Sequence, residues 1–173
     1  FDAVLTREDN DIEAWKNKGI CLDELERYDE AIRCYDMALS IDSERIEIWN
    51  NKGICLDRRG RYREALECFN RALEVDDMAE LWNNKGIIFY RMGKYKEAIN
   101  CFNKALKIND SVPEIWHNKG VCLKEMEKYR EAIECYEEAL SIIPPEKFTL
   151  YEFIEKNKKI AEGLYESIGE CRA

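Results

Sequence analysis

Residues 15–22 read Trp-Lys-Asn-Lys-Gly-Ile-Cys-Leu, and residues 49–56 read Trp-Asn-Asn-Lys-Gly-Ile-Cys-Leu. The same opening returns at residues 82–86 as Trp-Asn-Asn-Lys-Gly and at residues 116–120 as Trp-His-Asn-Lys-Gly. Successive tryptophans are 34, 33 and 34 residues apart. A fixed period of this length is typical of supersecondary units that stack on one another, and a single closed globule would not show it.

Each period predicts two amphipathic helices joined by a short turn. In the first period, Trp15, Gly19 and Leu22 lie at i, i+4 and i+7, on one stripe of a helix. A second apolar stripe runs through residues 28–39. In the second and third periods the turn contains Gly60 and Gly93, which predict the C-terminal end of the first helix.

A glycine also recurs inside each first helix, at positions 19, 53, 86 and 120. A glycine in a helix costs about 1 kcal/mol relative to alanine, so four equivalent glycines need a reason. We expect each of them to leave room for an aromatic ring on the second helix, which is Tyr35 in the first unit. Ala31 and Ala38 are expected to be small for the same purpose.

These recurring residues resemble the tetratricopeptide repeat (TPR) family over residues 12–146. The resemblance rests on Trp15, Gly19, Tyr28, Ala31, Tyr35 and Ala38 of the first unit and on their counterparts in the next three. It implies an all-α fold, a right-handed α-solenoid of stacked helix-turn-helix units.

Two features depart from the usual TPR pattern. Lysine stands before the helix glycine where leucine is usual, and its aliphatic stem can pack while the ammonium reaches water. Ser43, Asp77 and Asp110 stand where proline is usual, and we expect them to cap the helix that follows.

The repeat register also predicts the domain organisation. Residues 12–45, 46–78, 79–112 and 113–146 are the four units. Residues 1–11 read as the remnant of a preceding second helix, which predicts that the chain begins inside a longer array. Residues 147–173 read as a C-terminal capping helix, opened by a capping box at Thr149 and Glu152. A degenerate fifth repeat is the alternative for this last segment.

Composition narrows the classes of function. The net charge of −9 argues against nucleic acid as a partner, because phosphate binding needs a basic surface. The sequence has no apolar run long enough to predict a transmembrane helix. Seven of the eight cysteines follow the repeat, which favours small buried core positions, no disulfides and a cytoplasmic setting. With a single histidine, His117, the sequence predicts no metal site, no cofactor, no catalytic residues and no enzyme activity.

A binding surface is predicted on the face of each first helix opposite its tryptophan stripe. The resemblance implies that this face lines a concave groove. It carries one asparagine per unit, Asn17, Asn51, Asn84 and Asn118, which we call the asparagine column. A side-chain amide has two donors and an acceptor, so such a column suits the backbone of an extended peptide. Beside it runs an apolar row, Ile20, Ile54, Ile87 and Val121.

Partner choice is expected from positions that vary between units. Arg58, Tyr90 and Arg91 are predicted to accept an acidic or aromatic side chain of a partner.

The predicted function is therefore a protein-protein interaction scaffold that binds an extended peptide in the groove. Copying of one ancestral repeat would produce the same asparagine column without any ligand. An architectural or self-associating solenoid and a recruiting module of a larger enzyme are the alternatives.

Overall fold

The computed structural model describes residues 11–143 and 147–171, without the side chains of Phe148 and residues 169–171. Every regular element in these ranges is an α-helix. The helices are α1 Ile12–Glu24, α2 Tyr28–Ile41, α3 Ile46–Arg58, α4 Tyr62–Val75, α5 Ala79–Arg91, α6 Tyr95–Ile108, α7 Pro113–Glu125, α8 Tyr129–Ile142 and α9 Phe148–Cys171. The predicted helix remnant at residues 1–11 lies outside the described residues, except Asp11. Asp11 caps α1, since its carboxylate accepts a hydrogen bond from the backbone N–H of Ala14 at 3.1 Å.

The helices form two compact units, which divide between Asp77 and Met78. In the N-terminal unit, α1 packs on α2, α2 on α3, and α3 on α4. In the C-terminal unit, each helix from α5 to α9 packs on the next. Each unit is thus a stack of consecutive helix pairs, and the predicted all-α solenoid fold is confirmed.

The helix glycines lie against aromatic rings, as the sequence predicts. A Cβ atom added at Gly19 would come within 2.6 Å of Cε1 of Tyr35, and one at Gly86 within 2.6 Å of Cε1 of Phe102. Gly53 and Gly120 meet Phe69 and Tyr136 in the same way. These four rings are fully buried, and so are the alanines on either side of them in the second helices. The close approach of two helices in each pair therefore depends on the missing side chain.

The turn inside each helix pair requires a left-handed backbone. Gly60 and Gly93 have φ angles of +80° and +71°, which confirms their predicted role at the end of the first helix. The same position in the first and fourth pairs is taken by Glu26 and Glu127, with φ angles of 58° and 60°. A left-handed conformation costs a residue with a side chain about 1–2 kcal/mol, so the fold imposes this turn even where the sequence disfavours it.

We expect the substitutions Glu26→Gly and Glu127→Gly to stabilise the protein by about 0.5–1 kcal/mol each. Glycine adopts this conformation without the Cβ penalty, although it loses more backbone entropy on folding. Urea unfolding followed by circular dichroism would measure the change in the free energy of unfolding. Glu67→Gly, at an exposed position in the middle of α4, is the matched control and should destabilise by about 1 kcal/mol. A loss of stability in both turn variants would contradict the expectation.

The predicted N-cap positions at Ser43, Asp77 and Asp110 lie one or two residues before the observed N-caps. The N-cap residues of α3, α5 and α7 are Arg45, Met78 and Val112, and none of these makes a side-chain capping bond. The loops before α3 and α7 are held by the tryptophan of the next helix. The indole N–H of Trp49 donates to the carbonyl of Ser43 at 2.8 Å, and that of Trp116 donates to the carbonyl of Asp110 at 2.9 Å.

The lysine before each helix glycine packs on the same tryptophan. The ammonium groups lie 4.8–5.3 Å from the indole centroids in all four units, at Lys18, Lys52, Lys85 and Lys119. A cation at this distance is attracted by the negative face of the ring. Lysine therefore replaces leucine here without loss of packing, as the sequence predicts.

The last helix begins at Phe148, so Thr149 lies inside its first turn and the predicted capping box is wrong in register. Ile154 and Ala161 are fully buried and join a core cluster that contains Leu123, Cys135 and Tyr136. Other apolar residues of α9, among them Phe153, Ile160 and Leu164, are more exposed, because only part of this long helix is covered by α8. Ile154 and Ala161 thus anchor α9 on the C-terminal unit.

Candidate functional site

The first helix of each pair carries the asparagine column on the face that its own core positions leave open. Three residues before the asparagine stand Ile48, Leu81 and Ile115, which are buried. Four residues after it stand Cys55, Ile88 and Cys122, which are also buried. Asn17 is exposed, and Asn51, Asn84 and Asn118 are half-buried. Helical spacing therefore holds the column at the border between the core and the surface, where side-chain amides remain accessible.

A hydrogen bond defines the orientation of Asn118. Nδ2 of Asn118 donates a hydrogen bond to Oδ1 of Asn83 at 3.1 Å. Asn83 precedes the column residue Asn84 on α5, so this bond links the first helices of two consecutive repeats. It uses one donor of the Asn118 amide, which has a second donor and a carbonyl oxygen. The column therefore contributes to repeat packing as well as to the candidate binding surface.

Sequence reasoning missed a fifth member of the column, Asn157 on α9. Its Nδ2 lies 3.3 Å from Nε2 of His117, the residue before Asn118, which matches the position of Asn83 before Asn84. The buried residues Ile154 and Ala161 stand three before and four after it, as in α3, α5 and α7. The helix α9 is thus in the register of a first helix. This register is found when the sequence of α9 is aligned with the other first helices on the asparagine. An alignment on the tryptophan misses it, because Glu155 and Lys159 occupy the tryptophan and glycine positions.

His117 connects α7 to this last helix. Its ring centroid lies 5.1 Å from that of Phe153 and 5.8 Å from that of Tyr136. Burial lowers the pKa of the His117 imidazole, so the ring is neutral near pH 7. A neutral ring keeps an acceptor nitrogen for the Asn157 amide, and it adds no charge beside the column.

The apolar row lies next to the column. Ile20, Ile54, Ile87 and Val121 are all half-buried, and Ile87 and Val121 contact core clusters of the C-terminal unit. Ile160, on α9, continues the row after Asn157 but is more exposed, at 44%. Each first helix thus presents an amide and an aliphatic side chain one turn apart.

The residues predicted to choose the partner differ in their surroundings. Arg58 is held by an ion pair, with its guanidinium 2.6 Å from Oδ2 of Asp23 on the preceding first helix. Tyr90 is half-buried, with its ring 5.8 Å from that of Tyr95, and burial raises the pKa of its phenol. Arg91 is exposed at the end of α5. Arg58 lies in the N-terminal unit and the other two in the C-terminal unit, and their joint role stays a prediction.

Acidic residues before the column also pair within the stack. Nζ of Lys16 lies 2.6 Å from Glu13 and 3.1 Å from Glu47, so it links α1 to α3. Nζ of Lys147 lies 2.9 Å from Glu114. Lys16 and Lys147 therefore neutralise part of the acidic charge beside the column.

Among the seven described cysteines, six are buried thiols, in agreement with the predicted core positions. Burial raises the pKa of Cys55 and of Cys122 to about 12. Cys21 differs, because it is exposed. Its counterpart Cys55 is covered by the preceding second helix, where its thiol lies 3.6 Å from the carbonyl of Tyr28.

No group of three metal-binding side chains occurs among residues 11–143 and 147–171. In the same ranges, no helix has the length and apolar character needed to cross a membrane.

Comparison with known proteins agrees with the geometry. Models of the tetratricopeptide repeat match residues 12–44, 44–111 and 77–144. No protein of curated function matches the chain significantly.

Two solved structures illustrate the similarity of fold. YrrB, described as a TPR protein with an unusual peptide-binding site, is 19% identical with a TM-score of 0.71, over 95% of this chain and 83% of its own. The MamA protein is 20% identical with a TM-score of 0.71, over 92% of this chain and 89% of its own. Taken with the repeat geometry and the matching models, these findings show that the chain belongs to the tetratricopeptide repeat family.

Proposed function

We propose that this chain, a TPR interaction scaffold, binds an extended peptide segment along the asparagine column and the apolar row of its C-terminal unit. The observation that carries the proposal is the fifth column member. In α9 the tryptophan and glycine positions have diverged to Glu155 and Lys159, yet Asn157 and Ile160 remain. Copying of an ancestral repeat would not retain these two positions in preference to the tryptophan and glycine positions. A function of the column in ligand binding would retain them.

The chemistry of the column supports backbone recognition. A peptide backbone in extended conformation offers an N–H and a C=O at each residue, and a side-chain amide can satisfy both. The Asn118–Asn83 hydrogen bond fixes one such amide before any ligand arrives, which reduces the entropy lost on binding. YrrB, a protein of the same fold, is described as having a peptide-binding site, although its low identity leaves the comparison at the level of the fold. The buried thiols favour a reducing compartment such as the cytoplasm.

The double substitution Asn84→Ala/Asn118→Ala tests the proposal. Peptides selected from a random dodecapeptide phage library on the wild-type chain would be labelled with fluorescein and titrated by fluorescence anisotropy. Loss of two amides is expected to weaken binding by roughly 10- to 30-fold, at about 1 kcal/mol per hydrogen bond. The helical circular dichroism spectrum should be unchanged.

The matched control is Asn100→Ala/Asn103→Ala, which removes two exposed amides from the second helix α6. This control should bind as the wild type does. Equal affinity of the column variant and the wild type would show that the column is purely a packing device.

A further inference from the structure

His117 stands at a position that asparagine occupies in two other repeats. The residue before the column asparagine is Asn50 in α3 and Asn83 in α5, and it is His117 in α7. The side-chain oxygen of Asn83 accepts a hydrogen bond from the amide of Asn118 at 3.1 Å. His117 has the equivalent place beside Asn157 of α9, with 3.3 Å between its Nε2 and the amide Nδ2. The contact between α7 and α9 therefore contains a titratable group where the contact between α5 and α7 has an amide.

The orientation of the Asn157 amide requires the imidazole to be an acceptor. Nδ2 of Asn157 also lies 3.0 Å from the backbone carbonyl of Phe153, four residues earlier in α9. A side-chain oxygen in that place would face the carbonyl oxygen, so the carbonyl fixes the amide nitrogen there. The amide then donates one N–H to the carbonyl and the other to Nε2 of His117. Only a neutral imidazole can accept this bond, because both nitrogens of an imidazolium are donors.

The charges around His117 do not favour an imidazolium strongly enough to offset its burial. The charged groups that act on the ring are Glu114 and Lys124, both on α7, and their effects have opposite signs. Glu114 is also paired with Lys147, at 2.9 Å. Burial lowers the pKa of the imidazole below its ordinary value of 6.5, although a hydrogen bond with the Asn118 side chain raises it in part.

The neighbouring helices bring aromatic rings to His117. Tyr136 of α8 lies 5.8 Å from it and Phe153 of α9 lies 5.1 Å from it, measured between ring centroids. Burial raises the pKa of the Tyr136 phenol, so this group stays neutral in the range where histidine titrates. A proton added to the docked imidazole would therefore place a buried positive charge against the N–H of Asn157, which is unfavourable.

The attachment of α9 to the rest of the C-terminal unit is limited. Among the described helices, α9 packs on α8 and, over a smaller area, on α7. Ile154 and Ala161 are buried in this contact, which we call the docking of α9. Separation of α9 from α7 would expose the His117 ring to water, where it binds a proton more readily. Protonation of the ring and release of α9 are therefore thermodynamically linked.

We propose that His117 makes the docking of α9 sensitive to pH, with the neutral ring favouring the docked helix and the protonated ring favouring its release. Because the docked ring has the lower pKa, the stabilisation is fully present above the pKa of the exposed imidazole. It is lost as the pH falls from there through the pKa of the docked ring. Acidification thus loosens the helix that carries Asn157 and Ile160. This inference goes beyond the proposed function, since it holds whether or not a peptide binds.

The test measures amide hydrogen exchange of the full chain at pH 7.5 and pH 5.5 by mass spectrometry, expressed as protection factors that are corrected for intrinsic exchange. Protection of α9 should fall by about 3- to 10-fold at the lower pH, because one proton bound on release changes the opening equilibrium by at most about tenfold per pH unit. His117 is the only histidine of the chain, so its ring protons can be titrated by NMR without ambiguity. Their midpoint should lie below 6.5.

His117→Asn is the matched control, because it introduces the residue that stands at this position in α3 and α5. It keeps a side-chain acceptor and every carboxylate of the chain. Its α9 is expected to be less protected at both pH values, since the ring contacts are lost, but the protection should no longer change with pH. An equal pH-dependent loss in this variant and in the wild type would overturn the inference.

Asn157→Asp tests the same contact with the opposite sign. The carboxylate has the shape of the amide but pairs with an imidazolium, so the protection of α9 should rise as the pH falls from 7.5 to 5.5. A fall in protection like that of the wild type would contradict the proposed role of the Asn157 amide. Unchanged protection of wild-type α9 between the two pH values, or an NMR midpoint at or above 6.5, would also overturn the inference.

Discussion

Replacing Gly86 with alanine is expected to destabilise the C-terminal unit, although alanine is the better helix former. The added Cβ atom would lie 2.6 Å from Cε1 and 2.9 Å from Cδ1 of Phe102, whose ring is 1% exposed and has no room to move. Overpacking of this kind costs about 1–3 kcal/mol, and the helix preference returns about 1 kcal/mol. We expect a net loss of about 1 kcal/mol for alanine and of about 3 kcal/mol for leucine, measured by urea unfolding.

Two further variants separate packing from helix propensity. Gly163→Ala is the matched control, because Gly163 also lies inside a helix but has no atom within 4 Å of an added Cβ. It should stabilise the protein by about 0.5–1 kcal/mol. In the Gly86→Ala background, Phe102→Leu should cost less than it does in the wild type, since the smaller side chain relieves the contact. The same sign for Gly86→Ala and Gly163→Ala would contradict the proposed packing role of the glycine.

Replacing Ile154 with alanine is expected to release α9 from the rest of the C-terminal unit. Ile154 is fully buried against the last core cluster, and removing three methyl or methylene groups there costs about 2–5 kcal/mol. In a repeat protein such a loss is concentrated in the neighbouring elements, because each element contacts only those next to it. Hydrogen exchange measured by mass spectrometry should therefore show faster exchange in α9, with much less change in α5.

An isoleucine-to-alanine substitution at an exposed position of the same helix provides the control. Ile160→Ala removes the same atoms from a side chain that is 44% exposed, so it should cost less than about 1 kcal/mol and leave exchange in α9 nearly unchanged. Equal exchange in the two variants would show that Ile154 does not anchor the helix.

The helix pairs and their internal packing were predictable from the sequence because they depend on contacts within one repeat. The glycine–ring contact between Gly19 and Tyr35 joins positions 16 residues apart, and the period repeats the same pair four times. The turns at Gly60 and Gly93 follow from backbone preference alone. In both cases glycine stands where the structure requires it, because it lacks a Cβ atom at the helix contact and adopts a left-handed conformation at the turn.

The predicted capping residues failed because the N-cap depends on where the chain enters the helix. A shift of two residues places Arg45 at the N-cap and leaves Ser43 as the acceptor for the Trp49 indole. The interaction of Arg58 with Asp23 was equally hidden, since it joins two repeats through long, flexible side chains. Sequence spacing does not determine which of several nearby carboxylates such a side chain selects.

The sequence by itself determined the family, the helix pairs and the asparagine column, because periodic side chains specify which face of each helix is buried. Only the tertiary structure decided that Asn157 extends the column and that α9 exposes Phe153, Ile160 and Leu164. Its tryptophan and glycine positions have diverged, so an alignment on tryptophan misses the register of α9, and the burial of Ile154 and Ala161 against α8 and its neighbours establishes it. Burial against another element is a property of the folded chain, and no local pattern in α9 reports it.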